Sequence, residues 1–144
     1  MKWLGQKGMS LIEIIVVIII ICLVAGTSTV YFLGLFEDAK VDNTKNQIKA
    51  IEEALAHFRR DAGFYPSTEQ GLQALIEKPS IGRVPKRYAG DAYLQKMPRD
   101  SWGNDFVYYS PGVQGHEYEI YSLGSDGAEG GEGRDADIAN FEIE

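Results

Sequence analysis

One cysteine, two histidines and five prolines occur in 144 residues, and basic residues are outnumbered by acidic ones, 14 to 21. Each scarcity excludes something. The single cysteine, Cys22, forms no internal disulfide, so it says nothing of redox compartment. It lies inside an apolar run, where a small buried or lipid-facing side chain accounts for it. His57 and His116 have no motif around them, and no nucleophile–base set is visible, so nothing in the chain points to an enzyme. The net charge is −7 and the isoelectric point near 4.8. Such a surface is a poor match for nucleic acid, which needs clustered Lys and Arg. The acid is concentrated late in the chain, which points to a cation there.

What the chain does have is a long uncharged run. From Ile14 to Phe36, about 23 residues, no side chain is charged. At 1.5 Å per residue this reaches across a hydrocarbon core of ~30 Å. Open backbone groups are not tolerated in lipid, so the span is expected to be helical. The competing reading is a secretory signal peptide, with Ala25-Gly26-Thr27 as its cleavage region. The run, however, continues through Val30-Tyr31-Phe32-Leu33. Lys2 and Lys7 precede it and Glu37 and Asp38 follow it, which places the N-terminus in the cytoplasm and the rest outside.

One acid, Glu13, stands at the start of this run. An isolated charge at a helix centre costs ~2.5–3.5 kcal/mol on insertion scales. Two readings are open. Near the end of a span the carboxylate can snorkel to the interface, or it has a cationic partner in the membrane. No Lys or Arg lies within the span to serve. An α-amino group created by a cut just before the run would.

The stretch Lys7-Gly8-Met9-Ser10-Leu11-Ile12-Glu13, followed by the apolar run, resembles a type IV prepilin signal. The resemblance implies cleavage between Gly8 and Met9 by a prepilin peptidase and N-methylation of Met9. Glu13 then becomes the fifth mature residue, the place of the family's glutamate. Met9 stands where the family most often has Phe. Paired with the Met9 amine of a neighbouring copy, Glu13 would favour assembly over the monomer. Relatives often carry a proline at the position of Val30, near which filaments melt. Here local unwinding would rest on Gly26, Gly34 and Thr27-Ser28-Thr29.

Beyond the span, Val41, Ile48, Ile51, Leu55 and Phe58 recur on one helical face. The spacing predicts one helix from about residue 10 to 61, ended by Gly63 with Pro66 beyond. His57 reads as helix surface or core edge. Ser67-Thr68-Glu69-Gln70 predicts a short helix with Ser67 and Gln70 as a capping box. Leu72, Leu75 and Ile76 form its apolar side, and Lys78-Pro79 ends it. Residues 80–99 read as a loop packed down by Tyr88, Tyr93, Leu94 and Met97. Strands are expected at 105–109 and 117–121, with a short third at 140–143. The class is α+β: a long helix whose apolar stripe is covered by a short helix and a small antiparallel sheet.

Three further stretches resemble the major pseudopilins of type II secretion: Tyr65 to Leu72, Pro98-Arg99-Asp100-Ser101-Trp102-Gly103-Asn104-Asp105-Phe106, and Tyr121 to Gly127. With the prepilin signal they cover nearly the whole chain. The resemblance implies a type IV pilin-like fold and a structural role, with no catalysis. Protomers wait in the inner membrane and stack into a short pseudopilus that drives folded proteins across the outer membrane. Implied partners are further copies, minor pseudopilins, an inner-membrane assembly platform with its ATPase, and prepilin peptidase. The expected divisions are a leader at 1–8, a transmembrane half of the helix at 9–36, and a periplasmic domain at 37–144 that includes the amphipathic helix 37–61. Two other readings remain: a type IV pilin of a surface fibre, against which the missing C-terminal cysteine pair speaks, and a membrane-anchored calcium-binding module.

Residues 124–137 hold five glycines and five acids. The sign excludes a phosphate cradle, and the lack of Cys and His there disfavours zinc. Oxygen-only donors on a glycine-rich loop suit Ca²⁺; a disordered acidic loop is the alternative. The acids are not spaced as in an EF-hand, and Gly130 to Asp135 matches the start of a calcium β-roll repeat only once. The pseudopilin resemblance implies a structural Ca²⁺ in this loop, held by Asp126, Asp135 and Asp137 with the Leu123 carbonyl and Ser125. Glu129 and Glu132 are expected to face solvent.

Overall fold

A computed structural model of the chain describes residues 9–88 and 90–143; the side chains of 27–33 lie outside the described set. The chain divides into two compact units, Met1–Asp38 and Ala39–Glu144. One α-helix, α1, runs Leu11–Ala62, close to the expected bounds, and stays helical at Gly26 and Gly34. The expected leader, its cut at Gly8, and the Thr27-Ser28-Thr29 and Val30 side chains lie outside the described set.

Among the described residues of the first unit the large apolar side chains face outward. Ile18, Ile19, Ile20 and Ile21 are each more than half exposed. Among the described residues no helix is long and apolar enough to cross a membrane.

In the second unit the predicted stripe is the core. Ile48, Ile51, Leu55 and Phe58 are fully buried, with Ala54 beside them and Val41 packed at the edge. Each full-sized side chain contributes roughly 1.5–3 kcal/mol by leaving water. Phe58 is ringed edge-on by Phe64, Tyr88 and Tyr93 at 5.5–6.3 Å. The helix ends at Gly63, whose φ of +80° takes the chain out of the helix while its N–H donates to Arg59 O at 2.7 Å.

The covering elements are shorter than the sequence predicts. The Ser67–Gln70 reciprocity forms: Ser67 N donates to Gln70 Oε1 at 3.0 Å and Gln70 N to Ser67 Oγ at 3.3 Å. It closes a turn rather than an α-helix, and only a 3-10 helix, Leu72–Leu75, follows. Gln70 is buried and ties down the next loop through Ile81 O and Arg83 O, at 2.6 and 3.0 Å. Tyr88, Tyr93 and Leu94 pack that loop on the core as expected. Met97 does not; it is exposed.

The sheet is antiparallel in the order β1 (Val107–Tyr109), β2 (Glu119–Ser122), β3 (Ile138–Ala139). Val107 pairs with Tyr121, and Tyr121 in turn with Ala139. The third strand therefore lies two residues earlier than expected, and Asn140–Glu142 is a 3-10 turn. The cause is Asn140. Its Oδ1 accepts the Ile120 N–H at 2.9 Å and its Nδ2 donates to Glu52 Oε1 at 2.9 Å. A side chain thus takes the bond that strand pairing would have made, and the backbone turns away.

Candidate functional site

Two places hold the residues that the sequence singles out, one in each unit. At the start of α1, Ser10 is the N-cap. Ser10 Oγ accepts from Ile12 N at 3.3 Å, and Ser10 N donates to Glu13 Oε2 at 3.4 Å. Ser10 thus caps the second helical N–H while Glu13 returns to the Ser10 N–H as in one half of a capping box, and Glu13 also faces the positive end of the helix. Inside a single chain the carboxylate therefore has a local backbone partner. Met9, 70 % exposed, stands just before the helix.

In the second unit, β2 leads into the acidic loop and β3 leaves it. Ser125 N donates to Arg134 O at 3.0 Å, closing the neck. Gly124 is buried at that neck with φ +64°, and a Cβ there would stand 2.6 Å from Asp135 O. Only glycine fits such a crossing. Ser125 Oγ is in tight contact with Asp135 Oδ1, so these two expected ligands are brought together. Asp137 Oδ2 accepts from Gly130 N at 2.9 Å. Its other oxygen, Oδ1, is buried without a hydrogen-bond partner. Asp126 is turned elsewhere: its Oδ1 accepts from Ala128 N at 3.1 Å within its own turn. Glu129 and Glu132 are exposed, as expected. Leu123, Glu129 and Asp137 line one end of a cleft of about 320 Å³ walled by Val107, Tyr109, Val113 and Tyr121.

The donors fit a hard cation in chemical type, since all are oxygens. The orphaned Asp137 oxygen fits as well, because a buried polar atom left unpaired costs about 1–3 kcal/mol. Among the described residues, no group of three or more His, Cys, Asp or Glu side chains is gathered for a metal. A cation held here would therefore draw part of its shell from Ser125 and main-chain carbonyls.

Two residues that pattern reasoning passed over shape this region. Glu119 is fully buried on β2 and accepts from Gln114 N at 2.6 Å, Tyr121 Oη at 2.8 Å and Val113 N at 3.1 Å. Burial is the largest influence and pushes its carboxyl up. The three donors and the nearby His116 together hold it below the usual glutamate value. Glu119 raises the Tyr121 phenol in turn, to about 12 together with burial, which is again the larger cause. The second residue is Asn104, in the turn before β1, whose Nδ2 donates to Gly124 O at 3.0 Å. The sequence signal for both was weak: a charge in a strand and a polar residue in a turn.

The histidines stay away from chemistry. His57 is exposed and bonds Arg60, and His116 stacks on Phe141 at 4.6 Å. Cys22 is exposed on the apolar half of α1.

Comparison with known proteins places this arrangement. The model of the family described as Type II secretion system (T2SS), protein G matches residues 32–141. The prokaryotic N-terminal methylation motif matches residues 3–29. The chain is 44 % identical to type II secretion system core protein G of Pseudomonas aeruginosa, covering 95 % of this chain and 96 % of that one. It is 40 % identical to the protein of the same description from Vibrio cholerae, over 99 % and 97 %. A crystal structure of the major pseudopilin of the type 2 secretion system of enterohaemorrhagic Escherichia coli aligns with TM-score 0.66 and 35 % identity, over 76 % of this chain and 92 % of that one.

Proposed function

The chain belongs to the type II secretion system protein G family and is a structural pseudopilus subunit, not an enzyme, and on that premise we propose how its two units divide the work. The first unit is the assembly rod. Prepilin peptidase cuts between Gly8 and Met9, and Met9 is then N-methylated. The uncharged run Ile14 to Phe36, taken over its full sequence and so including residues 27–33, whose side chains lie outside the described set, crosses the inner membrane, and the Ala39–Glu144 unit stands in the periplasm. The observation that carries this reading is the outward-facing apolar surface of residues 11–26 with one acid among them. Such a surface is stable only when lipid or neighbouring helices cover it.

Assembly exchanges the partner of Glu13. In the single chain it receives the Ser10 N–H. In the filament it receives the Met9 amine of a neighbouring copy, a full charge that is more costly to leave unpaired in lipid. Glu13→Ala is expected to leave insertion intact and abolish filament growth. Fractionation and filament counts by electron microscopy check it, and normal filaments from that variant reject the pairing. Mass spectrometry of the mature N-terminus, with its methylation, tests the cleavage independently.

The second unit carries a structural Ca²⁺. Asp137, Asp135 and Ser125 would hold it together with the Leu123 carbonyl, and Asp126 would join on opening of its turn. The ion, when bound, would supply positive charge to the Asp135 and Asp137 carboxylates. The chain's own part is to keep the loop neck closed at Gly124 and Ser125 and to present the Asp137 oxygen. The further partners are minor pseudopilins and the assembly platform.

A further inference from the structure

The turn at residues 100–104 bonds to three separate elements. Asp100 is buried, and its Oδ1 accepts from Trp102 N and Asn104 N at 3.0 and 2.8 Å. Its Oδ2 accepts the buried Ser122 hydroxyl of β2 at 2.8 Å. Ser101 meets fully buried Thr44 of α1, Oγ to Oγ1, at 3.0 Å. Asn104 then projects from the turn and donates to Gly124 O at 3.0 Å. A Cβ at Gly127 would stand 3.4 Å from Asn104 Oδ1, so the first turn of the acidic loop is wrapped around that carboxamide.

We propose that Asn104 is the positioning residue of the 123–137 loop: its carboxamide, carried on a backbone whose N–H is held by Asp100, holds the Gly124 end closed before any cation arrives. The physical reason is local. The loop buries almost no apolar side chain, since from Asp126 to Arg134 every residue is exposed. Hydrophobic burial therefore cannot close it. Closure rests on a few hydrogen bonds, and the Asn104 bond ties the loop to a turn anchored on both α1 and β2. Pre-closing the neck lowers the ordering cost that a cation must meet. This second consequence rests on the calcium reading above; the first does not.

The test uses the full chain in detergent micelles. With chelator present, hydrogen exchange is followed in the peptide spanning 124–136 for wild type, Asn104→Ala and Asn104→Asp. The second variant keeps the shape and removes the donor. Both are expected to speed exchange in that peptide about tenfold, the equivalent of one hydrogen bond, with β1 and β2 unchanged. Unchanged loop exchange in both variants overturns the proposal. Equal acceleration throughout the sheet also overturns it, since Asn104 would then be a general stabiliser. Calcium titration by calorimetry completes the test, with affinity in Asn104→Ala expected about tenfold weaker than wild type. Equal affinity overturns the link to the cation. A wild type that binds no calcium rejects the calcium reading and leaves the exchange result to decide the role of Asn104.

Discussion

Isoleucine appears in two opposite settings in one helix. Ile18 to Ile21 are 53–60 % exposed, whereas Ile48 and Ile51 are fully buried. Side-chain chemistry is the same in both. What differs is what surrounds the helix: the Ala39–Glu144 unit supplies a sheet and aromatic rings of its own, whereas in the first unit the described residues from Leu11 onward are helix alone. The second unit buries its apolar side chains within the chain, and the first leaves them for lipid or other copies to cover under the reading proposed above. Stability of the one is intramolecular, and that of the other depends on environment.

The sharpest way to break this comparison is to cut a large side chain from each half. Phe58→Ala is expected to destabilise the second unit by about 3–5 kcal/mol, read from urea unfolding of the chain in micelles. Ile20→Ala should change that transition by less than about 0.5 kcal/mol. Equal shifts would mean that the two halves are not independent. A smaller effect follows from the cation reading. Calcium at about a hundred times its dissociation constant should stabilise the second unit by about 2.7 kcal/mol, and chelator should remove this. Asp137→Ala is expected to abolish the chelator effect, as is Asp126→Ala if its carboxylate joins the shell. A melting curve indifferent to chelator in the wild type removes calcium from the second unit.

The next effect concerns pH. The Glu119 carboxyl is held below its ordinary value of 4.5, so the folded state binds the proton less readily than the unfolded chain. Its contribution is complete above pH 4.5 and is lost as pH falls through the lower folded value. Melting temperature measured downward from pH 6 should therefore drop more steeply in wild type than in Glu119→Gln. Parallel curves would show that Glu119 does not pin the 112–114 turn. The smallest effect is at Tyr108, whose hydroxyl donates to Pro66 O at 2.9 Å and whose ionisation burial pushes to about 12. Tyr108→Phe is expected to cost about 0.5–1.5 kcal/mol by urea unfolding, and to leave the first unit untouched.

Much of this was legible in the residues themselves. The apolar stripe Ile48-Ile51-Leu55-Phe58 named the core, and Gly63 marked the helix end. Strong periodicity over many residues is a local signal that tertiary contacts only reinforce. The covering domain was read less well. The Ser67–Gln70 box formed but started no α-helix, because Gly71 at φ +59° follows it and Gln70 is held by the 81–83 loop. The third strand was displaced by the Asn140 side chain. In the acidic loop the composition marked the place, and the structure showed that Gly124 closes it. It did not mark which carboxylate oxygen would be buried alone.

The sequence by itself determined a long helix with two kinds of surface, the acid at its start and the oxygen-rich loop, because each is written in neighbouring residues and in period 3.6. Only the tertiary structure decided that Glu119 is a buried anchor, that Asn104 reaches Gly124, and that Asp137 keeps an oxygen without a partner. The Asn104 bond to Gly124 spans twenty positions, and the nearer partners of Glu119 and Asp137 meet them only because the intervening turns fold back. Burial and hydrogen-bond satisfaction are properties of that assembled neighbourhood, and no local pattern encodes them.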